Sequence, residues 1–138
     1  MAEALILDSE AVNALAQPTA RRVLAERAAT ILRVAHNKRA LIRVPAPVLA
    51  EISRGVRYDS AINHLLSNPG VRVVDLDRVA AQQAGQMLAR LKLSSAHAIE
   101  AFVVAIALQF DTAVIATGDP DDIRRLAAPF PKLGVFAL

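Results

Sequence analysis

The chain has 138 residues, of which 54% are apolar, and it carries 16 Lys and Arg against 13 Asp and Glu, a formal net charge of +3. That length suits one domain, 1–138, with a proper core. The absence of Cys excludes disulfides and thiolate metal sites, and an aromatic content of 4% argues against an aromatic platform for stacking bases.

The opening MAEALILDSEAV brings an acidic residue at once and another after a short apolar run. That is neither a signal peptide nor a membrane span, so a cytoplasmic protein without membrane attachment is expected. Ala4–Leu7 predicts a short strand, ended by Asp8-Ser9, and Val12 and Leu15 mark a helix that Pro18 breaks. A helix is expected over Thr19–Asn37, with Val23, Leu24, Ile31 and Val34 on its apolar side. Leu41–Val44 reads as a strand closed by Pro45, and Pro47 opens a helix through Ile52 that Gly55 ends. Tyr58–Leu66 predicts a helix, Val71–Val74 a strand, and Asp77–Leu91 another helix. Arg21, Arg22, Arg27, Arg33, Lys38, Arg39 and Arg43 make the first third basic, which suits a polyanion such as RNA and equally suits an ordinary solvated helix face.

The stretch from Ser94 to Asp122 organises the rest. Ile99, Val103, Ile106, Ala107 and Phe110 recur at helical spacing, with Ala and Val between them, so this helix is apolar nearly all round and should be central. It nevertheless carries Glu100, with His97 one turn earlier. Ala113–Ala116 is a short apolar strand ending at Thr117-Gly118-Asp119. Pro120–Ala127 predicts a helix and Gly134–Ala137 the last strand. Strands alternating with helices imply a three-layer α/β/α sandwich around a mostly parallel sheet.

In such a sheet ligands bind beyond the carboxyl ends of the strands. Asp8 and Asp119 directly follow apolar strands, Glu51 lies on the helix leaving the second strand, and Glu100 starts the central helix. Four carboxylates converging on one pocket would repel one another, and a divalent cation removes that repulsion. Oxygen ligands without Cys favour Mg²⁺ or Mn²⁺ over Zn²⁺, and such ions promote phosphodiester hydrolysis. Asp8, Glu100 and Asp119 are the expected metal ligands, with Glu51 completing the catalytic set. Ser9, Asn13, His97 and Thr117 are expected to support those carboxylates or to touch RNA. Each acid also has a plainer role: Asp8 and Asp119 as helix caps, Glu51 on a solvent face, Asp121 and Asp122 complementing a helix dipole.

Taken together, LILDSEAVNAL, VPAPVLAEISRG and AHAIEAFVVAIALQFDTAVIATGDPDDIRRL resemble, in order and spacing, the PIN-domain ribonucleases, and among them the toxins of VapBC toxin–antitoxin pairs. The resemblance spans essentially the whole chain. It implies a small α/β/α sandwich, usually a homodimer, that cuts structured RNA such as tRNA or rRNA with Mg²⁺ or Mn²⁺. It also implies an antitoxin that wraps the toxin and blocks the acidic pocket with a basic side chain. One residue departs from the pattern: the family usually has Asp where this chain has Glu100. The extra methylene moves the carboxylate outward by roughly 1.5 Å, and Mg²⁺ tolerates displacement poorly. Glu100 is compatible with a metal held through water, with a weakened enzyme, or with a substitution that tames a toxic protein.

Two alternatives compete with this reading. A PIN-like module without activity, which still binds RNA or antitoxin, is kept open by Glu100. A phosphoacceptor receiver domain needs an acidic pair after the first strand, an acceptor Asp after a central one and a late Lys. Ser9 separates Asp8 from Glu10, the strands ending near Val44 and Val74 offer Glu51 and Asp75/Asp77 rather than a clear acceptor, and no Lys follows Lys132.

Overall fold

Residues 3–138 are described by a computed structural model. The strands β1 (Glu3–Leu7), β2 (Leu41–Pro45), β3 (Val71–Val74), β4 (Thr112–Thr117) and β5 (Leu133–Ala137) form one sheet in the order β3-β2-β1-β4-β5. Every pairing is parallel, so the expected mostly parallel sheet is wholly parallel among the described residues. Among the described residues seven helices flank it: α1 (Ser9–Ala16), α2 (Arg22–Asn37), α3 (Ala46–Ile52), α4 (Val56–Leu66), α5 (Arg78–Arg90), α6 (Ala98–Ala107) and α7 (Pro120–Ala127). A 3₁₀ turn, Ser95–His97, leads into α6.

β1 is central because it can be apolar on both faces. Ala4, Leu5, Ile6 and Leu7 are all buried, as a strand covered on both sides requires. Helices α5, α6 and α7 pack in sequence, α6 against both neighbours, while α1 contacts both α2 and α4. Helix α3 touches α1 and α6, bridging the two groups. Helix α6 is the most deeply set: Ala101 and Val103 through Ala107 are buried.

The chain runs outward from β1 through β2 to β3, crosses back to β4 on the other side of β1, and continues outward to β5. The direction of winding therefore reverses between β1 and β4, which leaves a crevice beyond their carboxyl ends. Asp8 follows β1 and Asp119 lies two residues past β4. The register pairs Leu7 with Ala116, and the Asp8 N–H donates to the Ala116 carbonyl at 3.1 Å, so the two acidic loops leave the sheet side by side. One strand further out, the Leu138 N–H donates to the Thr117 carbonyl at 3.0 Å.

Two helix starts differ from the sequence reading by more than one residue. Helix α2 begins at Arg22 rather than Thr19, because residues 18–20 form a turn after Pro18. Helix α4 begins at Val56 rather than Tyr58. Gly55, with φ of 120°, is its N-cap and not the terminator of α3, which already ends at Ile52.

Candidate metal and nuclease site

The crevice holds a cavity of about 170 Å³ lined by Asp8, Glu10, Glu51, Glu100 and Asp119, with Ser9 beside them and Ile99, Val103 and Ile123 as its apolar wall. The sheet supplies Asp8 and Asp119, α3 supplies Glu51, and α6 supplies Glu100.

Asp8 is held on several sides. It is the N-cap of α1, and its Oδ1 accepts the Ala11 N–H at 3.0 Å. The Thr117 hydroxyl and the Gly118 N–H also bond to its carboxylate. Even so, burial raises its pKa from 3.8 to about 6, with the charge of Glu10 adding to the rise and those hydrogen bonds opposing it. The capping role and a role in the pocket are therefore compatible: one oxygen serves the helix, and the group still lacks a compensating positive charge.

Thr117 is the one polar side chain buried among the described residues, at 0% exposure. Its Oγ1 accepts the Asp119 N–H at 2.9 Å while the same hydroxyl serves Asp8, so it ties the two acidic loops together. That burial leaves it to hold carboxylates and removes it from RNA contact. Asp119 sits at the N-cap position of α7 without a well-formed capping bond from its side chain. Its pKa is raised, first by desolvation of the carboxyl and then by the neighbouring Asp122 carboxyl.

His97, Glu100 and Asp122 form a second grouping at the pocket edge, with one donor atom from each within 4.8 Å of the others. His97 Nδ1 lies 3.6 Å from Asp122 Oδ2. Asp122, assigned from sequence only to the helix dipole, instead shares the first turn of α7 with Asp119 and faces the same group of acids. The spacing Asp119-x-x-Asp122 was the available signal, since residues three apart share a helix face. Glu10 was also missed. Its side chain lies across Gly118, where an added Cβ would come within 2.4 Å of Glu10 Cγ, and its carboxylate pairs with Arg21.

Asn13 does not share the acidic pocket with Ser9. It lies outside the acidic pocket, in an adjoining cavity with Gln17, Arg21, Ile52, Arg54 and Tyr58, and Glu51 lines both. Four residues along a helix return to the same face but advance by about 6 Å, which carries Asn13 past the pocket that Ser9 lines.

The chemistry of these side chains fits a hard divalent cation. The donors are carboxylate oxygens, and burial leaves Asp8 without a counter-charge. A model of the PIN domain matches residues 5–129. The chain belongs to the PIN-domain family. A chain in the crystal structure of VapBC2 from Rickettsia felis, bound to a DNA fragment from their promoter, is similar in fold, with a TM-score of 0.66 and 98% of each chain covered at 16% identity. No curated protein matches the sequence. This PIN domain thus has the three-layer architecture expected, with its acidic residues at the topological switch point.

Proposed function

We propose that this PIN domain is a metal-dependent endoribonuclease toxin, cutting structured RNA such as tRNA or rRNA and neutralised by a cognate antitoxin. The observation that carries the proposal is the meeting of Asp8, Glu51, Glu100 and Asp119 in one pocket of a PIN fold. Fold similarity to the VapBC2 complex supports the toxin–antitoxin part of the reading. The reading includes a homodimer acting in the cytoplasm as one domain.

Asp8, Glu100 and Asp119 would hold Mg²⁺ or Mn²⁺, with Glu51 across the cavity and Asp122 beside them. When bound, such an ion neutralises phosphate charge and lowers the pKa of a coordinated water. The chain itself supplies positioning. Thr117 fixes the spacing of Asp8 and Asp119, and the N–H groups of Ala11 and Gly118 favour ionised Asp8. Ile99, Val103 and Ile123 limit water on the core side. Glu100 in place of the family's usual Asp supports a second reading, an inactive PIN module that retains RNA and antitoxin binding.

Cleavage of a mixed tRNA pool with Mn²⁺, by protein freed of antitoxin, separates these readings. Wild type should cut, and Asp8→Asn should fall by roughly a hundredfold or more, the scale of a lost catalytic group. Glu100→Asp should raise the rate if the longer side chain attenuates the site. Absence of cleavage above the Asp8→Asn background in wild type and Glu100→Asp alike would leave the inactive module.

A further inference from the structure

We propose that the cavity adjoining the acidic pocket seats the nucleotide that flanks the cleaved phosphate in single-stranded RNA. The inference rests on the nuclease reading above and assigns the substrate's path beside that site. The cavity is about 380 Å³, against 170 Å³ for the acidic pocket, and is within the size range of small-ligand sites. Its polar wall is Asn13, Gln17, Arg21, Arg54 and Tyr58, and Glu51 forms the border between the two spaces.

These groups match the parts of a nucleotide. Tyr58 is the sole tyrosine of the chain and its side chain is half exposed, at 48%. One ring is no platform for several bases, but it is sufficient for one, and every base has a face to stack. Its place is fixed by the start of α4, where its N–H donates to the Gly55 carbonyl at 3.1 Å. Arg54 is oriented by its own helix: Nη1 donates to the carbonyls of Ala50 at 3.0 Å and Ser53 at 2.7 Å. Its Nε and Nη2 have no protein acceptor among the described residues, so they remain for phosphate. Arg21 pairs with Glu10 and so stands where the acidic pocket meets the cavity. Asn13 and Gln17 bring amides, which both donate and accept and so suit a ribose 2′-OH or a base edge.

Charge selects RNA over a protein inhibitor as the occupant. A basic side chain offered to the acidic pocket gains nothing from Arg54 next door, and Arg21 there is already paired with Glu10. A polyanion needs Arg54, because its phosphates on either side of the cleaved bond extend beyond the reach of a cation among the acids.

The test uses Asp8→Asn protein with Mg²⁺ and a fluorescein-labelled eight-nucleotide single-stranded RNA, read by anisotropy. Adding Tyr58→Ala should weaken binding roughly tenfold, with Tyr58→Phe retaining it. Adding Arg54→Gln should weaken binding and flatten the dependence of log K on log salt by about 0.7. Melting temperatures verify that each variant is folded. In otherwise wild-type protein the same changes should raise KM and leave kcat nearly constant. Unchanged RNA affinity and salt slope in both variants overturns the proposal. So does a loss of antitoxin binding with RNA affinity intact, which would make the cavity a protein-docking site. The binding assay needs no cleavage. An uncleaved tRNA pool with variant-sensitive RNA binding therefore rejects the nuclease reading and overturns a seat beside a cleaved phosphate, while still showing that RNA occupies this cavity.

Discussion

Thr117 ends β4 and Asp8 directly follows β1, whereas Glu51, Glu100 and Asp122 ride on helices α3, α6 and α7, and the two groups are held very differently. The sheet pair is fixed by the β1–β4 register, by the Asp8 N–H to Ala116 bond and by a fully buried hydroxyl. The helical acids are partly or fully exposed, and their convergence depends on how α3, α6 and α7 pack. A buried carboxylate with a raised pKa is costly to the fold, while exposed ones are nearly neutral to it. Substitutions in the floor should therefore alter stability as well as metal binding, and those at the rim should alter metal binding alone.

The strongest way to break that contrast is Asp8→Asn in metal-free protein. The folded pKa of Asp8, about 6, lies above its ordinary 3.8. Between those values the native state holds more protons than the unfolded chain, so wild-type stability falls as pH rises through that window and levels off above it. Asn keeps the cap but has no charge to desolvate. The variant should match wild type below about pH 4 and exceed it at pH 7 by on the order of 2 kcal/mol, as measured by urea unfolding at a series of pH values. It should also lose the stabilisation that Mg²⁺ gives wild type. Equal stabilisation of both proteins by Mg²⁺ would place the ion elsewhere.

A smaller effect tests how tightly the floor is packed. Gly118→Ala puts a methyl into Glu10, 2.4 Å from Cγ and 2.8 Å from Cβ. Because the nearer part of that side chain cannot simply swing away, Glu10 has to rotate and release Arg21. Overpacking of this kind should cost about 1–2 kcal/mol, with the exposed ion pair contributing little of it. A thermal melt that matches wild type would show that the contact relaxes freely.

The rim should respond least. His97→Ala removes an imidazole from a half-buried pairing with Asp122 and should shift stability by less than about 0.5 kcal/mol. Its effect should instead be seen in Mn²⁺ affinity, by isothermal titration. A destabilisation as large as that of Gly118→Ala would show that the rim is as structural as the floor.

The same division explains what was legible in the sequence. Asp8 and Asp119 stand out because strands end abruptly, and a short apolar run followed by Asp fixes both the element and its polar end. Glu100 stands out because α6 has almost no other polar residue. Asp122 and Glu10 do not, since an acid in the first turn of a helix has an ordinary dipole role and only packing shows what else it faces. Asn13 lies one turn beyond Ser9, and that turn carries it into the next cavity. That cavity itself has no motif. Arg21, Arg54 and Tyr58 come from three separate segments, and Tyr58 takes its position from a helix that begins at Val56, capped by Gly55 and earlier than its apolar pattern indicates.

The uniform direction of the strands also gives the molecule two poles with different practical uses. Glu3, at the start of β1, is at the pole opposite the acids, while Leu138 is bonded to the Thr117 carbonyl at the acidic pole. A fluorophore attached at position 138 would sit one strand away from the mouth, where it would compete with whatever enters. The same label at position 3 would sit on the far side and report on binding without obstructing it.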